Sequence, residues 1–163
     1  MIKETIRMVA DALENGSYGV NEFLTPENRV ASFGDETRSD VVAQGMPLEP
    51  YPSLNVTLAQ PAEFEGEVRT SYRDGFDITI QVSYISKSAK MAEGNAHMWD
   101  VMRAVTKTLR RWLSNESAGD RELDGVQVIA CTGIEISPPL SVSDDSVIPA
   151  SLVIRLRIRD IDT

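Results

Sequence analysis

The chain has 163 residues, 42% hydrophobic and 25% charged, the composition of one folded domain rather than of a disordered chain. Its 25 acidic residues outweigh 16 basic ones for a formal net charge of −9, which argues against charge-driven binding of the whole molecule to nucleic acid or anionic lipid. A lone cysteine, Cys131, excludes an internal disulfide; charges at Lys3, Glu4, Arg7, Asp11 and Glu14 break any signal-peptide core, and no apolar run spans a bilayer, so a soluble protein of a reducing cytoplasm, or of something assembled there, is expected.

Ile2, Ile6, Val9 and Leu13 recur at helical spacing and predict a helix over 2–13, closed by Asn15-Gly16. Residues 17–53 carry no sustained period and hold three glycines and four prolines, so they read as a long irregular arm, one that orders against a neighbouring subunit or lies free on the surface. A short strand is predicted over 28–33, around Val30. Leu54, Val56 and Leu58 alternate with polar residues, and an extended piece over 68–73 runs into Asp74-Gly75, a hairpin dipeptide. From Phe76 to Tyr84 the alternation of apolar and polar residues is strict, the signature of a half-buried strand.

A long helix is predicted over 88–113, with Ala92, Ala96, Trp99, Met102, Thr106, Leu109 and Leu113 on its buried stripe and Trp112 widening it. A polar loop over 114–124 leads to a strand in which Val126, Val128, Ala130, Thr132, Ile134 and Ile136 share one face. After Pro138-Pro139 and a polar connection containing Asp144-Asp145, a last strand over 151–161 alternates Leu152, Ile154, Leu156 and Ile158 with Val153, Arg155, Arg157 and Arg159. The expected fold is α+β: one domain over 1–163, a mainly antiparallel sheet with two helices on one face, and the irregular arm at 17–53.

Chemistry is sparse. His97, the only histidine, has no second ligand at metal spacing and reads as a boundary residue of a packed helix. Cys131 lacks the cationic neighbours of a nucleophile and reads as structural. No phosphate-cradling loop occurs, since Gly16-Ser17-Tyr18-Gly19 follows a helix and lacks the Lys-Ser/Thr pair. Glu63, Glu65 and Glu67, like Asp144-Asp145, read as solvated loop charge. No enzyme, cofactor or metal is expected.

The basic residues stand out by arrangement. Arg103, Lys107, Arg110 and Arg111 form a stripe on the long helix, and Arg155, Arg157 and Arg159 a ladder on the last strand, seven of 16 in a negative chain. Helix-dipole complementation explains the first, and pairing with Asp77 and Glu135 the second. Otherwise one basic face meets an acidic face of an identical copy.

In layout the chain resembles the tail terminator family of long-tailed bacteriophages. The matching features are the amphipathic opening helix, Arg29-Val30 at the start of a strand after the arm, the proline-led strand Pro52-Ser53-Leu54-Asn55-Val56, the alternating strand over 78–86 feeding a helix over 89–113, and the closing strand pair over 125–136 and 151–161. The chain departs in a longer 17–53 arm and a longer loop around Asp144. The resemblance implies a structural virion protein at the head–tail junction, assembled in the host cytoplasm. Its subunits would form a ring, usually a hexamer, that caps the tail tube, stops its polymerisation and offers a docking surface to the head. Its partners would be further copies, the tail tube protein and a head-completion or connector protein, with DNA only passing through the lumen and no membrane contact. Arg29 and Val30 join the seven basic residues as candidate interface residues. The alternatives are a head–tail connector or head-completion subunit, a small cytoplasmic α+β ligand-binding or dimerisation module, and, last, a metal enzyme built on Asp144 or Asp145.

Overall fold

A computed structural model describes residues 2–15, 18–37, 50, 52–59, 76–87, 91–114, 121–137 and 147–161. The expected hairpin piece over 68–73 with Asp74-Gly75, the Gly16 cap, Glu63, Glu65, Glu67 and Asp144-Asp145 lie outside them.

Helix α1 (Ile2–Glu14) buries Ile6, Val9 and Leu13, as their spacing dictates, together with Thr5, Met8, Ala10 and Ala12. Two 3₁₀ turns (Val20–Phe23 and Pro26–Asn28) follow, and then the short strand β1 (Ser32–Asp35). The strand therefore starts four residues later than residue 28. Pro26 sits at the first turn of a 3₁₀ helix, and Asn28 closes that turn by donating its N–H to the Thr25 carbonyl (2.9 Å). The remaining elements are β2 (Ser53–Leu58), β3 (Phe76–Lys87), α2 (Met91–Ser114), β4 (Glu122–Leu123), β5 (Val126–Ser137) and β6 (Val147–Asp160).

The six strands form one sheet in the order β1-β2-β3-β6-β5-β4, antiparallel throughout except for the β1–β2 pair. Register places apolar residues opposite apolar residues on one face: Leu54 faces Tyr84, Val56 faces Val82, and Ile80 faces Ile154. Leu152, Ile154, Leu156 and Ile158 are wholly buried there, under α1 and α2. The fold is thus the expected α+β layer pair, with both helices packed on one face of the sheet.

Much of the irregular arm is not an arm. Residues 18–37 fold back on their own chain, with Val20 and Val30 in the core and Phe23, Leu24 and Phe33 packed against it. The Asn21 carboxamide makes this return possible: its Oδ1 accepts the Val30 N–H (2.8 Å) and its Nδ2 donates to the Val30 carbonyl (3.1 Å), as a strand neighbour would. Gly19 fits because an added Cβ would lie 3.0 Å from the Glu14 carbonyl oxygen at the end of α1.

Two further differences matter. Asp124-Gly125, with φ of 48° and 81°, forms the two-residue hairpin turn between β4 and β5 where a plain loop was expected. In β5 the expected common face breaks after Val128, because register shifts occur between Val128 and Ala130 and again between Cys131 and Gly133. Each inserts one residue and flips the side-chain parity. The residues that share the helix-side face, by their pairing with Ile158, Leu156, Ile154 and Leu152, are therefore Val128, Cys131, Ile134 and Ile136. Ala130 pairs instead with Arg157, and Thr132 is the inserted residue of the second bulge.

Candidate interaction surface

The two basic arrays lie on opposite sides of the sheet. Leu152, Ile154, Leu156 and Ile158 point to the helices, so the alternate residues Arg155, Arg157 and Arg159 are exposed on the outer face. Along β5 their neighbours are Gly133, Ala130 and Gln127; along β3, Thr79 and Asp77 flank Arg155 and Arg157. Arg159 donates to the Gln127 side chain (2.7 Å). Arg157 Nε stands 3.9 Å from the Asp77 carboxylate, with both side chains half exposed, a weak pair. Among the described residues Arg155 and Glu135 have no ionic partner, so the expected Glu135 pairing does not form. The ladder is held by little and faces outward.

The helix stripe divides. Lys107 Nζ lies over the Phe23 ring (5.6 Å to the centroid) and Arg111 over the Tyr18 ring (5.5 Å), so these two cations clamp the 18–28 segment onto α2. Arg110 turns the other way and lines a groove. Arg103 is exposed. Arg29 is exposed as well, but Val30, only 4% accessible, is a core residue and offers no side chain to a partner.

A groove lies beside the open side of β5. About 570 Å³ in volume, it runs between α2 (Thr106, Arg110, Leu113, Ser114) and residues 129–134 of β5. Its origin is a mismatch between the helix and what covers it. The buried line of α2 is Met98, Val101, Met102, Val105, Leu109 and Trp112, rotated roughly a quarter turn from the predicted stripe. Both lines are apolar, and the sheet covers one. Met102 and Leu109 belong to both, while Ala96 and Trp99 are exposed and Thr106 and Leu113 half-buried. Trp99, Thr106 and Leu113 are seven residues apart, so they follow nearly one line along the helix.

Beyond its short pairing with β4, β5 has no strand on its outer side among the described residues. This edge carries exposed isoleucines: Ile129 (43%), Ile134 (43%) and Ile136 (38%); Trp99 on α2 is exposed as well (50%). The signal for it was in the sequence, in an apolar arc on α2 wider than one sheet contact can cover.

His97 does more than bound a packed helix. Its Nε2 lies 2.7 Å from the Asn28 carbonyl, which can only accept, so Nε2 carries the proton. In the neutral ring Nδ1 then accepts from the buried Tyr84 hydroxyl, 2.5 Å away. His97 thus ties α2 to β3 and to the 3₁₀ turn. Among the described residues no three His, Cys, Asp or Glu side chains gather into a cation site, and no helix is long and apolar enough to cross a membrane. No family model matches the chain, and no curated protein matches it.

Proposed function

We propose that the chain is a structural subunit of a long-tailed bacteriophage, a tail terminator whose copies form a ring, a hexamer by the family resemblance, on the end of the tail tube. The ring ends tube polymerisation and receives the filled head, with DNA passing through its lumen. The observation that carries the reading is the edge of β5, which beyond β4 has no strand neighbour among the described residues, together with the groove beside it. A subunit that leaves Ile129, Ile134 and Ile136 exposed along one strand gains buried surface when a neighbour arrives. The net charge of −9 keeps separate subunits apart in bulk, and the outward arginine ladder gives contacts between copies an electrostatic direction. None of these features requires catalysis.

Native mass spectrometry of the purified chain, alone and mixed with tail tubes, tests the proposal. Closed rings, or monomers that become rings at tube ends, support it. A strict monomer that ignores tubes and instead caps isolated heads moves the protein to the head side as a connector. A monomer or dimer indifferent to both removes it from the tail altogether.

A further inference from the structure

We propose that two copies of this chain pair about a two-fold axis that passes Thr106 of α2 and the middle of the 129–134 stretch of β5, each copy seating its Trp99 in the groove of the other. The pair stands independently of the ring reading; only its consequence for assembly rests on that reading.

Antiparallel helices related by a two-fold axis bring to one level the residues equally far before and after that axis. Trp99 lies seven residues before Thr106 and Leu113 seven after it, each about 10.5 Å away along the helix. An axis at Thr106 therefore sets Trp99 of each copy level with Leu113 of the other. Trp99 is half exposed, and Leu113 stands on the wall of a groove of about 570 Å³, room enough for an indole. Thr106, small and half-buried, lets the helices approach at the axis. The β5 side of the groove has the same symmetry. Ile129 and Ile134 are its exposed large apolar residues, and their midpoint falls between Cys131 and Thr132. An axis there sets Ile129 of one copy against Ile134 of the other. The two bulges interrupt a regular backbone ladder, so side chains make this contact.

Charge sets the antiparallel sense. Asp100 and Arg110 are both exposed on α2, ten residues apart and out of each other's reach within one copy. Across an axis at Thr106, Asp100 of one copy comes within about 3 Å of the level of Arg110 of the other. Among the described residues Asp100 has no ionic partner. Arg103 and Arg110 also approach across the axis, and Asp100, three residues before Arg103, offsets that repulsion. Arg110, on the groove wall, supplies a cation to the indole that enters. A parallel pair would instead set Asp100 against Asp100 and hold Trp99 away from the groove. The helix contact, from Ala96 to Ser114, is about 27 Å long. That is small for a specific interface, so the pair forms reversibly. An isologous contact closes on two copies. It covers the groove and edge that a ring neighbour needs, so paired subunits stay out of a ring until they part.

Sedimentation velocity of the full chain over a wide range of concentration should show reversible exchange between monomer and dimer. Trp99→Ala should weaken pairing by about tenfold or more, with an unchanged circular dichroism spectrum. Asp100→Arg and Arg110→Asp should each weaken it, and the two together in one chain should restore it. A role within a single copy cannot produce that rescue, because the two residues do not meet there. Thr106→Cys in a Cys131→Ser background, oxidised with diamide, should give a disulfide-linked dimer and nothing larger, and Thr25→Cys in the same background should give none. A monomer at every concentration, a double reversal that fails to rescue, or no linked dimer from Thr106→Cys overturns the proposal. Rings at tube ends from a pool that is monomeric when free would leave the ring reading standing and this pair wrong. A two-fold dimer that never caps tubes would do the reverse.

Discussion

The Tyr84 hydroxyl and His97 Nδ1 lie 2.5 Å apart, joining the centre of β3 to the N-terminal half of α2, while His97 Nε2 donates to the Asn28 carbonyl 2.7 Å away. Both nitrogens of one ring thus hold three separate stretches of chain together. A double-mutant cycle of Tyr84→Phe and His97→Phe should show each change costing about 1–3 kcal/mol, because a buried partner loses its hydrogen bond. The two effects should fall short of additive, as expected for groups in direct contact, measured by urea unfolding of the four proteins.

Asn21 makes two hydrogen bonds to the backbone of Val30. Asn21→Ala removes both and leaves the Val30 N–H without its partner, at a cost of about 1–3 kcal/mol. Hydrogen exchange should localise the effect, with amides in 20–35 losing protection before those of β3 and β6. A uniform loss across the sheet would refute this role.

The helix cations should separate into two classes. Lys107→Ala and Arg111→Ala each remove a cation from an aromatic ring at the surface, worth about 0.5–1 kcal/mol. Arg103→Ala should change stability by less than about 0.5 kcal/mol, as for an ordinary exposed side chain. Thermal melts of the three single variants check the ranking.

Arg155→Glu combined with Arg157→Glu should leave the subunit folded, since the ion pair these arginines make among the described residues, Arg157 with Asp77, is long and half exposed. The same protein should form fewer rings, read by native mass spectrometry at matched concentration. Unchanged assembly would show that the ladder serves no contact between copies.

Thr108 is 1% accessible on α2, and its hydroxyl has no hydrogen-bond partner among the described residues. Thr108→Val keeps the shape and removes an unsatisfied polar group, so unfolding free energy should rise by about 1 kcal/mol. Chemical denaturation with an unchanged m-value would check it.

Local periodicity by itself determined a large share of this protein. The four-three-four spacing of Ile2, Ile6, Val9 and Leu13 required a helix with one buried face, and the strict alternation of β3 and β6 put Ile80 and Ile154 inside and Arg155 and Arg157 outside. The hairpin at Asp124-Gly125 was legible in the same way, through a dipeptide suited to positive φ, but it borders a strand of only two residues, too short to show a period. What the sequence could not decide was set by neighbours distant in the chain. Both candidate lines on α2 were apolar, and only the placement of the sheet under Val101 and Val105, rather than under Trp99 and Thr106, chose between them. The two bulges of β5 answer to its pairing with β6, so no period within 126–137 revealed that Cys131 replaces Ala130 on the helix side. Val30 belongs to the core and not to an interface because the Asn21 carboxamide, which nothing local in the sequence marks, holds its backbone there. The groove, the open edge and the division of the cations between two faces are properties of packing, and packing is written in contacts that sequence spacing does not carry.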